Sequence, residues 1–269
     1  MVEPNAVAAA DAALAEPLPA AAPPSAVAVT AAYAVHLFTA SGVVCTFLAA
    51  AEVCSPGCRP RVVFAWLGLQ VLIDAADGPL ARLCRIKQTA PRIDGRTIDD
   101  LVDYLSYTFV PLLLVWRMGW VPGSHGGLWV APTMVASLFG FANKGAKDEA
   151  GGFFLGFPSY WNIVAVYAGL AHAAAGPWPN AALLVVLTVL TVLPVRFVYP
   201  NLAPQPWRVP LLAATLVWAA LLAALLLGDY PRAPAWLVAA SLVYPVLYVV
   251  LSVWLDLQRR RAAPATLRA

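Results

Sequence analysis

The sequence predicts an all-α, polytopic membrane protein with about eight transmembrane helices, and three observations carry that reading. Of the 269 residues, 61% are hydrophobic and only 12% are charged, with a mean hydropathy of +0.75, a composition that a soluble domain does not have. The apolar residues fall into eight runs, the longer ones sufficient to cross a hydrocarbon layer of about 30 Å as helices. The basic residues are divided unevenly between the loops that join those runs. The net charge of +3 says little by itself, and no nucleic-acid partner is expected.

Taken in order, residues 1–25 are rich in Ala and Pro and contain Glu3, Asp11 and Glu16 without a basic residue. They lack the positive start of a secretory signal, so they are expected to form a flexible N-terminal tail. A transmembrane catalytic domain then occupies 26–257, and a basic C-terminal tail 258–269. The spans are predicted at 27–51, 62–81, 97–116, 128–141, 159–175, 181–195, 209–227 and 235–255, the fourth being short and containing Pro132. With the amino terminus inside, thirteen of the 17 Lys and Arg residues lie on the inner side, and only Arg59, Arg61, Arg117 and Arg232 lie outside. The positive-inside rule then predicts an inner, cytoplasmic membrane protein with both termini in the cytoplasm.

The stretch 74–103 departs from this apolar plan. Asp74 and Asp77 are the only charges in the second run and lie three residues apart, on one face of a helix, with Arg82 about two turns beyond Asp74. Asp99 and Asp103, four apart, also share a face. Two antiparallel helices joined by the polar linker 83–95 would bring the four carboxylates together near one membrane surface. An acid at a helix centre disfavours insertion by about 2.5 to 3.5 kcal/mol and usually marks a pathway or a site. Converging carboxylates also repel one another. Hard divalent cations relieve both penalties, and an all-oxygen set without His or Cys suits Mg²⁺ or Mn²⁺ far better than zinc. A cation path through a transporter would use intramembrane acids as well.

Asp74, Asp77, Gly78, Ala81 and Arg82 form the pattern DxxDGxxAR, and Gly95, Asp99 and Asp103 form GxxxDxxxD. All eight positions match the signature of the CDP-alcohol phosphotransferases, and the chain is similar to members of that family. The spacer between Arg82 and Gly95 is longer than in most of them. The resemblance implies two metal ions, with Asp74, Asp77, Asp99 and Asp103 as ligands, and with Asp103 also the base that takes the proton of the acceptor alcohol. It assigns Gly78 and Arg82 to the CDP-alcohol. Ala81 and Gly95 complete the motif at that ligand, and Thr39, in the first span, resembles a threonine that helps hold the CDP group. Gly78 and Ala81 leave room for a phosphate, which Arg82 can grip with two hydrogen bonds. A homodimer is also implied.

The segments HLFTASG, VDYLSYTFVP and FPSYWN look like the phosphatidylcholine synthase branch of the family, which joins choline to CDP-diacylglycerol in the membrane and releases CMP. Choline's quaternary ammonium cannot donate a hydrogen bond and is held by aromatic faces, for which Tyr104, Tyr107, Tyr160 and Trp161 are the candidates. Tyr and Trp also gather at membrane interfaces as anchors. Other acceptors remain open, among them serine, inositol phosphate and glycerol phosphate, although a phosphorylated acceptor would call for a basic cluster.

Several residues carry weaker signals. His36 either meets the nucleotide or caps a packing contact. Asp100, outside the signature, reads as an interfacial acid or a salt-bridge partner rather than a ligand. In NKGAKDE, Asp148 and Glu149 could draw in a cation and Lys144 and Lys147 could touch phosphate, while ordinary loop solvation accounts for all four. Cys54 and Cys58 flank a predicted outer loop and could pair in an oxidising compartment.

Overall fold

The computed structural model describes residues 24–262. The expected N-terminal tail lies outside them except for Pro24 and Ser25, as do the last seven residues of the expected C-terminal tail. Helix α1 (Ala26–Cys54) begins where the Ser25 hydroxyl accepts the Ala28 amide at 3.2 Å, and α2 (Pro60–Leu83) begins on Pro60, whose fixed φ suits a first turn. A short helix α3 (Ile86–Thr89) lies within the linker. The third pass is composite, made of α4 (Gly95–Asp103), a π-helical turn (Tyr104–Phe109) and α5 (Val110–Arg117). Next come α6 (Gly127–Ala142), α7 (Trp161–Ala175), α8 (Trp178–Val192), α9 (Arg208–Leu227) and α10 (Ala235–Ala262).

Among the described residues these eight helical segments coincide with the eight predicted runs, and the chain is an all-α polytopic membrane protein. Four helices, α1, α2, α9 and α10, are long and apolar enough to cross a membrane, while α6, α7 and α8 are shorter apolar helices. The large side chains point outwards on the long helices: Phe47, Leu216 and Leu227 are 67%, 73% and 84% exposed. That pattern suits a lipid solvent, which leaves no reason to hide an apolar ring. Helix α7 is the inner helix, buried on most of its faces, as a helix apolar all round must be. Helix α10 continues through Arg259, Arg260 and Arg261 to Ala262, so the start of the basic tail is helical.

The π turn has a visible cause. Pro111 has no N–H, and in a regular helix its ring would clash with the carbonyl four residues back. The widened turn relieves that clash, and the Val110 N–H bonds the Leu105 carbonyl five residues away.

One feature was not expected from the sequence. The loops 143–160 and 193–207 form a three-stranded antiparallel sheet in the order β1 (Lys147–Asp148), β2 (Phe153–Leu155), β3 (Arg196–Val198). Lys147 pairs with Phe154, and Phe154 with Phe197; Asp148 pairs with Phe153, and Phe153 with Val198. Directly opposed residues share a face, so the sheet has two distinct sides. On one side, Arg259 of α10 lies 4.5 Å from the Phe153 ring and 3.7 Å from Asp148. Along the outer edge of β3 the Tyr248 and Ser252 hydroxyls bond the carbonyl and amide of Val198 at 2.9 and 3.1 Å. The other side carries Lys147 and Phe154 towards the acids. The turn between β1 and β2 depends on Gly152, whose φ of +75° is left-handed and where a Cβ would collide with the Leu202 carbonyl.

Candidate active site

The site is built where α2 meets α4. Asp94 starts α4 as its N-cap, accepting the Arg96 amide at 3.0 Å and the Thr97 hydroxyl at 2.9 Å. Those two bonds, the hydroxyl first, hold its carboxyl below the usual carboxylate range. Gly95 follows because nothing larger fits: a Cβ there would lie 2.9 Å from a ring carbon of His36. The glycine lets α4 close on α1, and Asp99 and Asp103 then point at α2.

Three of the four expected ligands converge. Asp74, Asp99 and Asp103 each offer an oxygen, and these three oxygens lie within 4.8 Å of one another. The Tyr107 hydroxyl donates to Asp74 Oδ2 at 2.8 Å. Asp103 Oδ1 is buried with no hydrogen-bond partner. Asp77, one turn along α2, is buried beside this group, with Thr39 nearby, whose hydroxyl donates to the Val35 carbonyl at 3.3 Å. Carboxylates packed this closely, one with an orphaned oxygen, form a set that a hard divalent cation fits: anionic oxygens only, with no nitrogen or sulfur among them. The cluster could hold a metal ion.

The remaining motif residues surround the acids. Arg82 is exposed, makes no ion pair among the described residues, and lies 3.5 Å from where a Gly78 Cβ would sit. Ala81 lies on the turn between them. Asp100 is a salt-bridge partner, 3.2 Å from Lys147 Nζ and 3.7 Å from Arg96. Lys147 is therefore not a solvated loop lysine. Burial opposes its charge, but Asp100, Asp99 and Asp103 outweigh that and hold its pKa above the ordinary lysine value. Asp148 is likewise engaged, by Arg259.

The four aromatic candidates go to different places. Tyr107 reaches Asp74, as above. Tyr160 lies within electrostatic reach of Asp74 and Asp103 and meets Phe154 and Phe157 edge-on. Ser159 before it is left-handed at φ 56°, which turns the chain into α7 at this point. Tyr104 faces α6 instead, bonding the Met134 carbonyl at 3.2 Å and meeting Phe141 edge-on. Trp161 is fully buried, with its indole N–H on Ser137 at 2.7 Å. His36 is buried with Nε2 unpartnered, its ring against Gly95. Cys54 and Cys58 carry free thiols. Phe154 and Tyr199, beside the acids, have no sequence signal beyond their aromaticity.

No protein-family model matches the chain, and no solved structure does. Curated relatives do. A phosphatidylcholine synthase of Pseudomonas aeruginosa is 38% identical over 188 residues, 70% of this chain and 76% of that protein. Those of Agrobacterium fabrum and Legionella pneumophila are each 33% identical, over 78% and 82% of this chain and 84% and 87% of theirs. The acid cluster of α2 and α4 thus stands in a chain that belongs to the phosphatidylcholine synthase branch of the CDP-alcohol phosphotransferase family.

Proposed function

We propose that this enzyme transfers the phosphatidyl group of CDP-diacylglycerol to choline and releases CMP, on the cytoplasmic side of the inner membrane. The single observation that carries the chemistry is the convergence of Asp74, Asp99 and Asp103 with the unpartnered, buried Asp103 Oδ1. Asp74, Asp77, Asp99 and Asp103 would hold one or two Mn²⁺ or Mg²⁺ ions, which supply neutralisation of the pyrophosphate and acidify the attacking hydroxyl.

The protein's own part is then positional and acid–base. Thr39, Gly78, Ala81, Arg82 and Gly95 form the CDP-lipid side. Gly78 leaves the backbone open to a phosphate, Arg82 can supply paired N–H donors to it, and Gly95 sets the distance between α1 and α4. On the acceptor side, Tyr107 and Tyr160 face the cluster, while Tyr104 and Trp161 buttress the walls behind them. The choline oxygen attacks the phosphorus that bears the diacylglycerol. The bond from that phosphorus to the CMP oxygen breaks, CMP leaves with the electron pair, and the hydroxyl proton passes to Asp103. A carboxylate of ordinary pKa near 3.9 is a weak base for an alcohol, so Asp103 acts on a hydroxyl already acidified at the site. Lys147 limits repulsion among the acids, since Asp100 anchors it beside them.

The test is CMP release by the purified protein from CDP-diacylglycerol with a panel of alcohols. Release that needs both choline and Mn²⁺ or Mg²⁺ is expected. Release with serine, inositol phosphate or glycerol phosphate in place of choline would overturn the choine-specific reading, and release without a divalent cation would overturn the role of the acids.

A further inference from the structure

The sheet side that faces the acids carries an aromatic surface that the sequence motifs do not contain. Phe154 stacks on Tyr199 with ring centroids 4.3 Å apart and planes inclined by 28°. It also meets Tyr160 edge-on at 6.5 Å. Its cross-strand partner is Lys147, whose ammonium is 3.2 Å from Asp100. Opposed residues lie roughly 5 Å apart on one face, so the register alone sets these rings beside the charged group. Tyr199 follows Val198, and the alternation of β3 turns it to the same side as Phe197 and Phe154.

The hydroxyls set Tyr160 and Tyr199 apart from the other tyrosines that are not exposed; Tyr33, also without such a bond among the described residues, is 41% exposed on α1. Tyr104, Tyr107, Tyr167, Tyr230, Tyr244 and Tyr248 all hydrogen-bond a carbonyl, a carboxylate or a hydroxyl. Tyr160 and Tyr199 are half-buried and make no such bond among the described residues. Neither hydroxyl is among the enclosed unpartnered atoms, so both are accessible to water or to a ligand beside the rings. Of the charged groups near Tyr199, Lys147 acts most strongly, but it is paired with Asp100, and Asp74, Glu149 and Asp99 are all negative.

We propose that the stacked pair of Phe154 and Tyr199, with Tyr160, is the surface that recognises the acceptor's quaternary ammonium and sets the enzyme's preference for choline over primary amino alcohols. This rests on the choline reading above. A trimethylammonium group offers no hydrogen bond, so ring faces and a net negative surrounding hold it. A primary ammonium is more strongly hydrated and needs hydrogen-bond acceptors, which two phenyl faces do not provide.

The experiment uses the full-length enzyme in detergent micelles, with initial rates measured against choline, dimethylethanolamine and ethanolamine. Tyr199→Leu keeps an apolar side chain without the ring, and Phe154→Leu does the same on β2. Each is expected to raise the choline KM roughly 3- to 30-fold and to narrow the preference for choline over ethanolamine. The CDP-diacylglycerol KM should move by less than about twofold. Tyr199→Phe, which restores the ring, should recover most of the choline KM lost in Tyr199→Leu. Equal rises in both KM values, or a Tyr199→Phe variant as poor as Tyr199→Leu, would reduce the pair to packing and overturn the proposal. An unchanged choline KM in both leucine variants would do so too. A wild-type enzyme that ignores choline would instead overturn the choline reading itself, before any variant is compared.

Discussion

Two regions of this molecule hold buried or half-buried acids, and they treat them in opposite ways. Where α10 meets the sheet, Asp256 is 3% exposed and is matched by two cations, Arg260 at 2.8 Å and Arg196 at 3.3 Å. Where α2 meets α4, Asp74, Asp99 and Asp103 face one another, and Asp103 Oδ1 has no partner at all. A fold that can satisfy an acid so fully in one place has not failed to do so in the other. The matched acid holds α10 against the loops; the unmatched acids leave their negative charge uncompensated by such a pair. Lys147 stands at the boundary, tied to Asp100 on the edge of the acid group and carried by the sheet that α10 clamps.

The sharpest way to break this comparison is to neutralise one acid on each side. Asp103→Asn should lower turnover by about a thousand-fold or more, the combined scale of a lost base and a lost ligand. CDP-diacylglycerol binding, measured by equilibrium binding of labelled lipid, should change only a few-fold. Asp256→Ala should do the reverse. Removing one partner of a buried ion pair costs about 3 to 5 kcal/mol, but both arginines are partly exposed, so a loss of about 2 kcal/mol in a thermal or denaturant unfolding assay is expected, with turnover of the folded fraction largely kept. If Asp256→Ala abolished turnover without loosening the fold, the division between matched and unmatched acids would be wrong.

Smaller effects sharpen it. Gly95→Ala would press a methyl group against the His36 ring at 2.9 Å, shifting α4 and its two acids relative to α2. A decrease of about tenfold in kcat/KM follows if small misplacement of reacting groups dominates, and the further substitution His36→Ala should return part of it. Asp148→Asn removes only the half-exposed pair with Arg259 at 3.7 Å. Surface pairs of this kind contribute about 0 to 1 kcal/mol, so unfolding should scarcely change, and a large loss would show that the sheet depends on its charges more than on Phe153 and Val198.

The helices were legible because lipid allows few alternatives: the predicted run 209–227 and the observed Arg208–Leu227 differ by one residue. The acids were legible for the same reason, since a charge within such a run stands out. Asp100, outside the signature, reads as an interfacial acid or a salt-bridge partner, and it is the latter. The sheet was not legible. Its strands are two or three residues long, too short for alternation to register, and Lys147 and Asp100 meet across 47 residues. Lys147 in NKGAKDE therefore looked like a solvated loop lysine, and Tyr199 and Phe154 like ordinary loop aromatics. Trp161 resembled an interfacial anchor or a ligand contact, yet it sits on Ser137 in the core, because the position of a ring at a helix start does not reveal which neighbours close over it. The π turn had one trace, Pro111, and only the three-dimensional path shows how the helix accommodates it.

A titration of the purified protein with Mn²⁺, followed by electron paramagnetic resonance, tests whether the unmatched acids hold a cation, without reference to turnover. The spectrum of free Mn²⁺ should be suppressed until one or two ions are bound per chain, and the suppression should disappear in the double variant Asp99→Asn with Asp103→Asn. Mn²⁺ that stays free in the presence of the wild-type protein and CDP-diacylglycerol, or that binds the double variant equally well, would contradict a cation site there.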